Sequence, residues 1–491
     1  LANYESLWYH QAGKFLPLAV AVACRQEGIE APAGLPGDVW GLLNVPLGRT
    51  EEIYRDFLRR AAVRAVDGRT VLRRWSLAAH GDADYRDLVC ETLGESYASP
   101  VVLVPDTAHY SWKRSAGLLG YGSRNLWSVP VDEGFRMDPV AFRETLGRCL
   151  EERRPVLQSV FVLGTTEFGS VDPLPELMAS RTEFRELGLD APVHIDAAYG
   201  GYFASIFRAG RTQDPPEDPF LAPLRRSCEA LRLTDSVTVD PHKMGYAPYG
   251  AGAIVIRHGY LRELVAEGAH YALDTRGLKH EDLGKFILEG SKPGAAAAAV
   301  WLNHRMMPLN LDGYGSHLRD LCRLAQDFYR HVVQQDARLQ RQGKPYRLVP
   351  LTEPETNIVC LLVVPLTARG LAEVDSLNGR AALRFGVRDV ENVQDYDYLV
   401  SKTRLAADSP FVRSHPMLAP LAPDSPSLTC LRLVFMNRWV AGETSEGRGY
   451  MDDFLDSLVE YIDRVLDGEV IARDARRGRA LREPEGALPK R

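Results

Sequence analysis

Two short runs in this chain place reactive groups where apolar strands end. PVHIDAAYGG, Pro192–Gly201, delivers Asp196 followed by Ala197 and Ala198. VDPHKMGYAPYGAG, Val239–Gly252, delivers His242 and Lys243 and then a glycine-rich turn. An amine at one strand end and a carboxylate at another form the pair that a pyridoxal phosphate site requires. The amine forms a Schiff base with the cofactor's aldehyde. The acid holds the pyridine nitrogen protonated, so that the ring can accept electrons. Ala198 leaves room for a flat ring beside the strand. Taken singly, each residue has a plainer reading. A lysine after a strand is ordinarily a solvated surface group, and an Asp at a strand end is often a cap or turn residue. The pairing, at this spacing and with these neighbours, is what points to the cofactor.

Apolar strands and helices alternate around these runs. Val101–Val104, Val156–Leu163, Val193–Asp196, Ser236–Asp240 and Ala253–Arg257 read as strands. Helical character covers Leu1–Arg25, His109–Leu119 and Leu174–Leu187. A buried alanine-rich helix is predicted over Pro293–Met307, and a long amphipathic one over His317–Gln334. This alternation predicts an α/β domain with a mostly parallel or mixed sheet. Sites in such sheets lie at strand ends, where Thr166, Asp196 and Lys243 all fall. From about Pro345 the texture changes. Strands near Tyr346–Leu351, Asn357–Val364 and Thr429–Phe435 stand among long loops, and Tyr450–Leu466 makes a closing helix. The expected organisation is a large domain over 1–335, a smaller α+β domain over 336–470, and a disordered Arg-, Pro- and Gly-rich tail over 471–491.

Composition excludes several classes. A net charge of −6 with no basic block argues against nucleic acid as a partner. No run of about 18 apolar residues occurs, so no membrane-spanning helix is expected. The first residues lack the basic, apolar and small-residue order of a signal peptide. The seven cysteines are scattered, odd in number and free of any CxxC pair. Neither a disulfide framework nor a zinc site is indicated, and a reducing cytoplasm is the expected compartment.

The chain also carries a family resemblance. ANYESLW at the start, VPDTAHYSW (104–112), LGTTEFGSVD (163–172), HIDAAYGGY (194–202), SVTVDPHKMGYAPY (236–249) and ILEGSKPGAAAAAVW (287–301) resemble, in order and spacing, the blocks of group II pyridoxal phosphate-dependent amino-acid decarboxylases. Within that group they are most similar to the bacterial tyrosine decarboxylases. The resemblance covers roughly residues 1–320 well and the rest loosely. It implies a fold type I, aspartate aminotransferase-like large domain with a smaller C-terminal α+β domain. It also implies a homodimer with active sites at the interface. The implied reaction converts an L-amino acid, aromatic and tyrosine-like, to its amine and carbon dioxide.

Carried onto this sequence, the resemblance makes Lys243 the Schiff-base lysine and Asp196 the partner of the pyridine nitrogen. His109 would stack on the outer face of the ring, and Ala198 would cover the other face. Thr166 would lie near the ring's 3-hydroxyl. His242 and Ser291 would contact the phosphate, Ser291 from the neighbouring subunit. Tyr271, in the turn-rich loop Ala266–Gly277, matches the tyrosine that returns a proton to the substrate carbon. Tyr249 and Val434 match positions near the substrate. Each has a plainer alternative: His109 a surface residue at a helix entry, Thr166 a strand end, Ser291 the N-cap of the alanine-rich helix, Tyr271 an ordinary loop aromatic. His194 reads as a structural residue beneath the acid. The family's phosphate loop and partner-wrapping N-terminal segment would precede residue 1, so the chain is expected to begin part-way through the family's pattern. In LRLVFMN (431–437), Leu433 and Val434 stand where tyrosine decarboxylases tend to carry small or polar residues. Three rival readings stay open: a decarboxylase of another amino acid, an oxygen-using aldehyde-forming variant, and a catalytically inactive dimeric homologue. Tyr271 favours simple decarboxylation, and intact Lys243, Asp196 and His109 argue against the inactive homologue.

Overall fold

The apolar runs become the strands of two sheets. A computed structural model describes residues 1–215, 217–266, 283–386, 398–444 and 447–468. They divide into two units, Leu1–Arg319 and Asp320–Arg491. The division falls inside a long helix, Tyr314–Arg341, rather than at the 335/336 boundary read from the sequence. The start of that helix is tied to the first unit, where the Tyr314 hydroxyl donates to the Gly245 carbonyl at 2.6 Å.

The first unit holds six strands: β1 (Val101–Pro105), β2 (Leu126–Val129), β3 (Val156–Val162), β4 (Val193–Asp196), β5 (Ser236–Val239) and β6 (Ala253–Ile256). Their order is β2-β1-β3-β4-β5-β6. The first five are parallel and β6 runs antiparallel to β5, so the sheet is mixed. Strands β1 and β3 are buried along their whole length, which is why neither reads as an alternating run; β1 is apolar throughout, and β3 is apolar except for the buried Gln158 and Ser159. Helices Ser111–Leu118, Pro139–Glu151, Leu174–Glu186 and Ala222–Ala230 lie in the crossovers. The second of these opens on Asp138, whose side chain accepts from the Val140 N–H, with Pro139 in the first turn.

The N-terminal helix, Ala2–Glu27, packs on the sheet and buries Leu7, Leu18, Val20 and Val22. It ends at Gly28 in the left-handed conformation, φ 63°. Polar groups fasten it from within. His10 hydrogen-bonds Gln158 of β3 (2.9 Å) and Ser236 of β5 (3.2 Å). The buried Lys14 ammonium donates to the Asp190 carbonyl (2.6 Å).

The second unit carries an antiparallel sheet in the order β7-β8-β10-β9: β7 (Tyr346–Pro350), β8 (Ile358–Pro365), β9 (Ser401–Ala406) and β10 (Ser427–Val434). Helices Leu371–Phe385 and Tyr450–Leu466 bury apolar faces within it. One expectation is corrected here. The alanine-rich helix, Gly294–Met306, is not buried in the chain: none of its residues is enclosed, and Trp301 and Met306 are 65% and 75% exposed. Periodicity reports that a helix is apolar but not which molecule covers it.

Candidate active site

Parallel pairing aligns the carboxyl ends of β4 and β5, and the two reactive runs emerge side by side. Asp196 is the last residue of β4 and pairs in register with Thr238 of β5. Beyond the strand ends, the Asp240 N–H donates to the Ala198 carbonyl at 3.1 Å and ties the two segments together. Gly200 permits the close turn after Asp196, since a Cβ there would meet the Leu163 carbonyl oxygen at 2.0 Å. Tyr246, three residues past Lys243, holds a left-handed backbone at φ 54°. A strained non-glycine residue of this kind is common beside functional sites.

Asp196 is 6% exposed. Its Oδ2 accepts from Asn3 Nδ2 at 2.8 Å and from Trp112 Nε1 at 3.1 Å, and its Oδ1 accepts from the Ala198 N–H at 3.3 Å. Lys243 Nζ lies 3.0 Å from Asp240 Oδ2, and His242 Nε2 lies 3.6 Å from the same oxygen. His242 Nδ1 donates to the Ala251 carbonyl at 2.8 Å. Its ring stacks on Tyr249, centroids 4.6 Å apart, while Tyr249 itself is 88% exposed. His109 Nδ1 faces the Ser111 hydroxyl at 2.8 Å. Burial lowers the pKa of His109; the Asp196 charge opposes this and the Lys243 charge reinforces it. His194 is fully buried, bonded to Ser236 and Thr238, and burial holds its pKa well below the ordinary histidine value.

The structure thus gathers Asp196, Ala198, His109, His242, Lys243 and Tyr249 at one edge of the sheet. Thr166 sits exposed in the turn after β3, on the same carboxyl edge. Ser291 is exposed in the segment before the alanine-rich helix. The N-cap of that helix is Pro293, so the capping alternative for Ser291 does not hold. Val434 ends β10 in the second unit, where it lines a cavity of about 390 Å³ with Tyr398, Phe435 and Trp439. Tyr271 lies outside the described residues. Sequence reasoning passed over Asn3, Trp112 and Asp240, although each stands in a run that it singled out.

A profile of the pyridoxal-dependent decarboxylase conserved domain matches residues 91–340, about half of the chain. The chain belongs to the pyridoxal-dependent decarboxylase family. It is 35% identical over 376 residues to an L-tyrosine decarboxylase of Enterococcus faecalis, a match covering 73% of this chain and 56% of that protein. It is 31% identical over 401 residues to an L-tyrosine decarboxylase of Enterococcus faecium, covering 77% of this chain and 60% of that protein. The chain therefore spans less than two-thirds of the length of these relatives. The fold is that of a solved tryptophan decarboxylase of Catharanthus roseus, with a TM-score of 0.53, 16% identity, and coverage of 77% of this chain and 66% of that one. The architecture is fold type I, as expected.

Pyridoxal 5'-phosphate is the cofactor of this family, and the residues present fit it. Asp196 offers a buried carboxylate and Lys243 an amine on the neighbouring segment, with the small Ala198 between them in the chain path. Asn3 Oδ1 is buried without a hydrogen-bond partner among the described residues, next to the same carboxylate. A polar atom left unpaired in an interior calls for an explanation, and a group bound beside Asp196 would supply one.

Proposed function

We propose that this decarboxylase-family chain removes the α-carboxylate of an L-amino acid, aromatic and tyrosine-like, to give the amine and carbon dioxide. The observation that carries this reading is the joining of Asp196 and Lys243 on adjacent strand ends, tied by the Asp240-to-Ala198 hydrogen bond. The bacterial L-tyrosine decarboxylases support the choice of substrate class.

Bound pyridoxal phosphate supplies an electron sink for the pair left on Cα when carbon dioxide departs. The chain's residues do the rest. Lys243 would hold the cofactor through its amine. Asp196 would supply an anion to the ring nitrogen, inside a site where low dielectric strengthens such a pairing. His109 and Ala198 would contact the ring, and Thr166 would serve its 3-hydroxyl. His242 and Ser291 would bind its phosphate. Tyr271 delivers a proton to Cα, and Tyr249 and Val434 border the substrate. Exclusion of water favours loss of a charged carboxylate as a neutral gas.

The protein acts as a homodimer, supported by the exposed apolar face of the helix Gly294–Met306, which directly follows Ser291. A reducing cytoplasm fits its seven free thiols. The test is direct. The full-length protein, supplied with pyridoxal phosphate and a panel of L-amino acids, should release an amine identified by mass spectrometry, with tyrosine or another aromatic amino acid favoured. Borohydride reduction should leave the pyridoxyl group on Lys243. Labelling of another lysine, or no amine from any amino acid, refutes the reading.

A further inference from the structure

Asn3 and Trp112 have no part in the reading above, yet both donate to the same oxygen of Asp196. They reach it from different elements: Asn3 from the N-terminal helix, Trp112 from the helix Ser111–Leu118. Trp112 is fully buried, and its ring packs edge-on against His194 at 5.3 Å. His194 is itself bonded on both ring nitrogens, so the indole is backed by a fixed neighbour. A carboxylate at a strand end is otherwise free to swing about its last torsion, which is broad. Two N–H donors on Oδ2, added to the longer bond from the Ala198 N–H to Oδ1, remove that freedom.

Asn3 does a second thing. Its Nδ2 also donates to Ser111 Oγ at 3.1 Å. The opposite amide orientation would turn Oδ1 against the Asp196 carboxylate, so the orientation is dictated by charge. An amide nitrogen only donates, so Ser111 Oγ accepts there and its O–H is left to donate to His109 Nδ1, 2.8 Å away, a nitrogen that already accepts from a backbone N–H. The Ser111 backbone N–H points at the same nitrogen, at 3.3 Å. With two donors on Nδ1, the ring proton of neutral His109 sits on Nε2.

We propose that Asn3 and Trp112 are positioning residues for the cofactor ring: together they fix the Asp196 carboxylate that addresses the ring nitrogen, and Asn3, through Ser111, sets His109 as its Nε2–H tautomer. This rests on the reading of Asp196 given above. It makes the first turn of the N-terminal helix part of the cofactor site. It also accounts for a buried asparagine whose amide bonds Asp196 directly and reaches His109 through Ser111.

The experiment compares pyridoxal phosphate with its 1-deaza analogue, in which carbon replaces the ring nitrogen. Equilibrium dissociation constants are measured for both on full-length protein: the parent, Asn3→Leu and Trp112→Phe, with circular dichroism melts as the folding control. Each variant should lose about tenfold or more in affinity for pyridoxal phosphate, but less than about twofold for the analogue. Equal losses for the two, or no loss, overturn the proposal, because a merely structural role does not sense one ring atom. Should Trp112→Phe fail to fold, Asn3→Leu decides alone. ¹⁵N-histidine NMR of the cofactor-free protein supplies the second readout. His109 should be the Nε2–H tautomer in the parent and a mixture in Asn3→Leu; an unchanged tautomer removes the Asn3–Ser111 link. If the parent itself does not distinguish the two cofactors, the underlying reading of Asp196 fails, and the proposal with it.

Discussion

At the scale of single residues, the proposed cofactor acid, Asp196, and the proposed substrate contact, Val434, make different kinds of prediction. Asp196→Asn keeps the shape of the side chain and removes its charge, while Asn3 and Trp112 remain as donors that an amide can still partly satisfy. Fold should survive and kcat should fall by about a hundredfold or more, as expected for loss of electrostatic stabilisation where charge develops. Near-normal turnover would make Asp196 structural. Val434 is apolar, and an apolar wall discriminates weakly against a missing or added hydroxyl. Val434→Ser adds a group that can bond a phenol, so the ratio of kcat/KM for tyrosine over phenylalanine should rise. An unchanged ratio would remove Val434 from the substrate site. Lys243 pairs with Asp240 at 3.0 Å, a contact three residues apart in the chain. Sequence reasoning listed the lysine and not its partner, because an Asp three residues before a lysine is an ordinary surface arrangement.

Among the elements, the strand ends carry the chemistry and the N-terminal helix carries a liability. His10, on that helix, is fully buried between β3 and β5, and burial pushes its pKa down to about 4. Below pH 6.5 the unfolded chain takes up a proton at His10 that the folded chain refuses. The folded pKa is depressed, so the stability is present above pH 6.5 and is lost as pH falls toward 4. The loss is roughly 3 kcal/mol if complete. Burial also pushes the His194 pKa well below the ordinary histidine value, which acts in the same direction. The urea midpoint should therefore drop steeply between pH 6.5 and 4, and His10→Gln should flatten that dependence while lowering the midpoint at pH 7. A pH dependence identical to the parent's would show that His10 is not the group responsible. Eight of the ten strands named above were legible to within two residues because each is largely a short apolar or β-branched run. Strands β2 and β9 went unread, as did the helices between residues 39 and 93 and the helices Pro139–Glu151, Ala222–Ala230 and Leu371–Phe385. β9 alternates exposed Lys402 and Arg404 with buried Thr403 and Leu405, a polar edge strand without a hydrophobic run to announce it.

For the whole molecule, the exposed apolar residues of the helix Gly294–Met306 bear on assembly. Trp301, Leu302 and Met306 share one helix and are all more than half exposed in the chain. Patches of this kind on a folded chain mark contacts with other molecules. In the proposed dimer, Trp301→Glu should shift the full-length protein from dimer toward monomer in sedimentation equilibrium, and pyridoxal phosphate should then be retained less well. A dimer of unchanged strength would place the subunit contact elsewhere.

The sequence alone determined the class of fold and pointed to the residues of the candidate site. Buried parallel strands are mostly apolar, and the candidate residues at their ends sit next to them in the chain: Asp196 closes β4 and Lys243 follows β5. The tertiary structure alone decided what surrounds those groups. Asn3 lies 193 residues from Asp196 and Trp112 lies 84 residues from it, yet both end on one carboxylate oxygen. Long-range hydrogen bonds of this kind have no period and no local motif. They follow from where the helices pack on the sheet, and only the folded chain shows that.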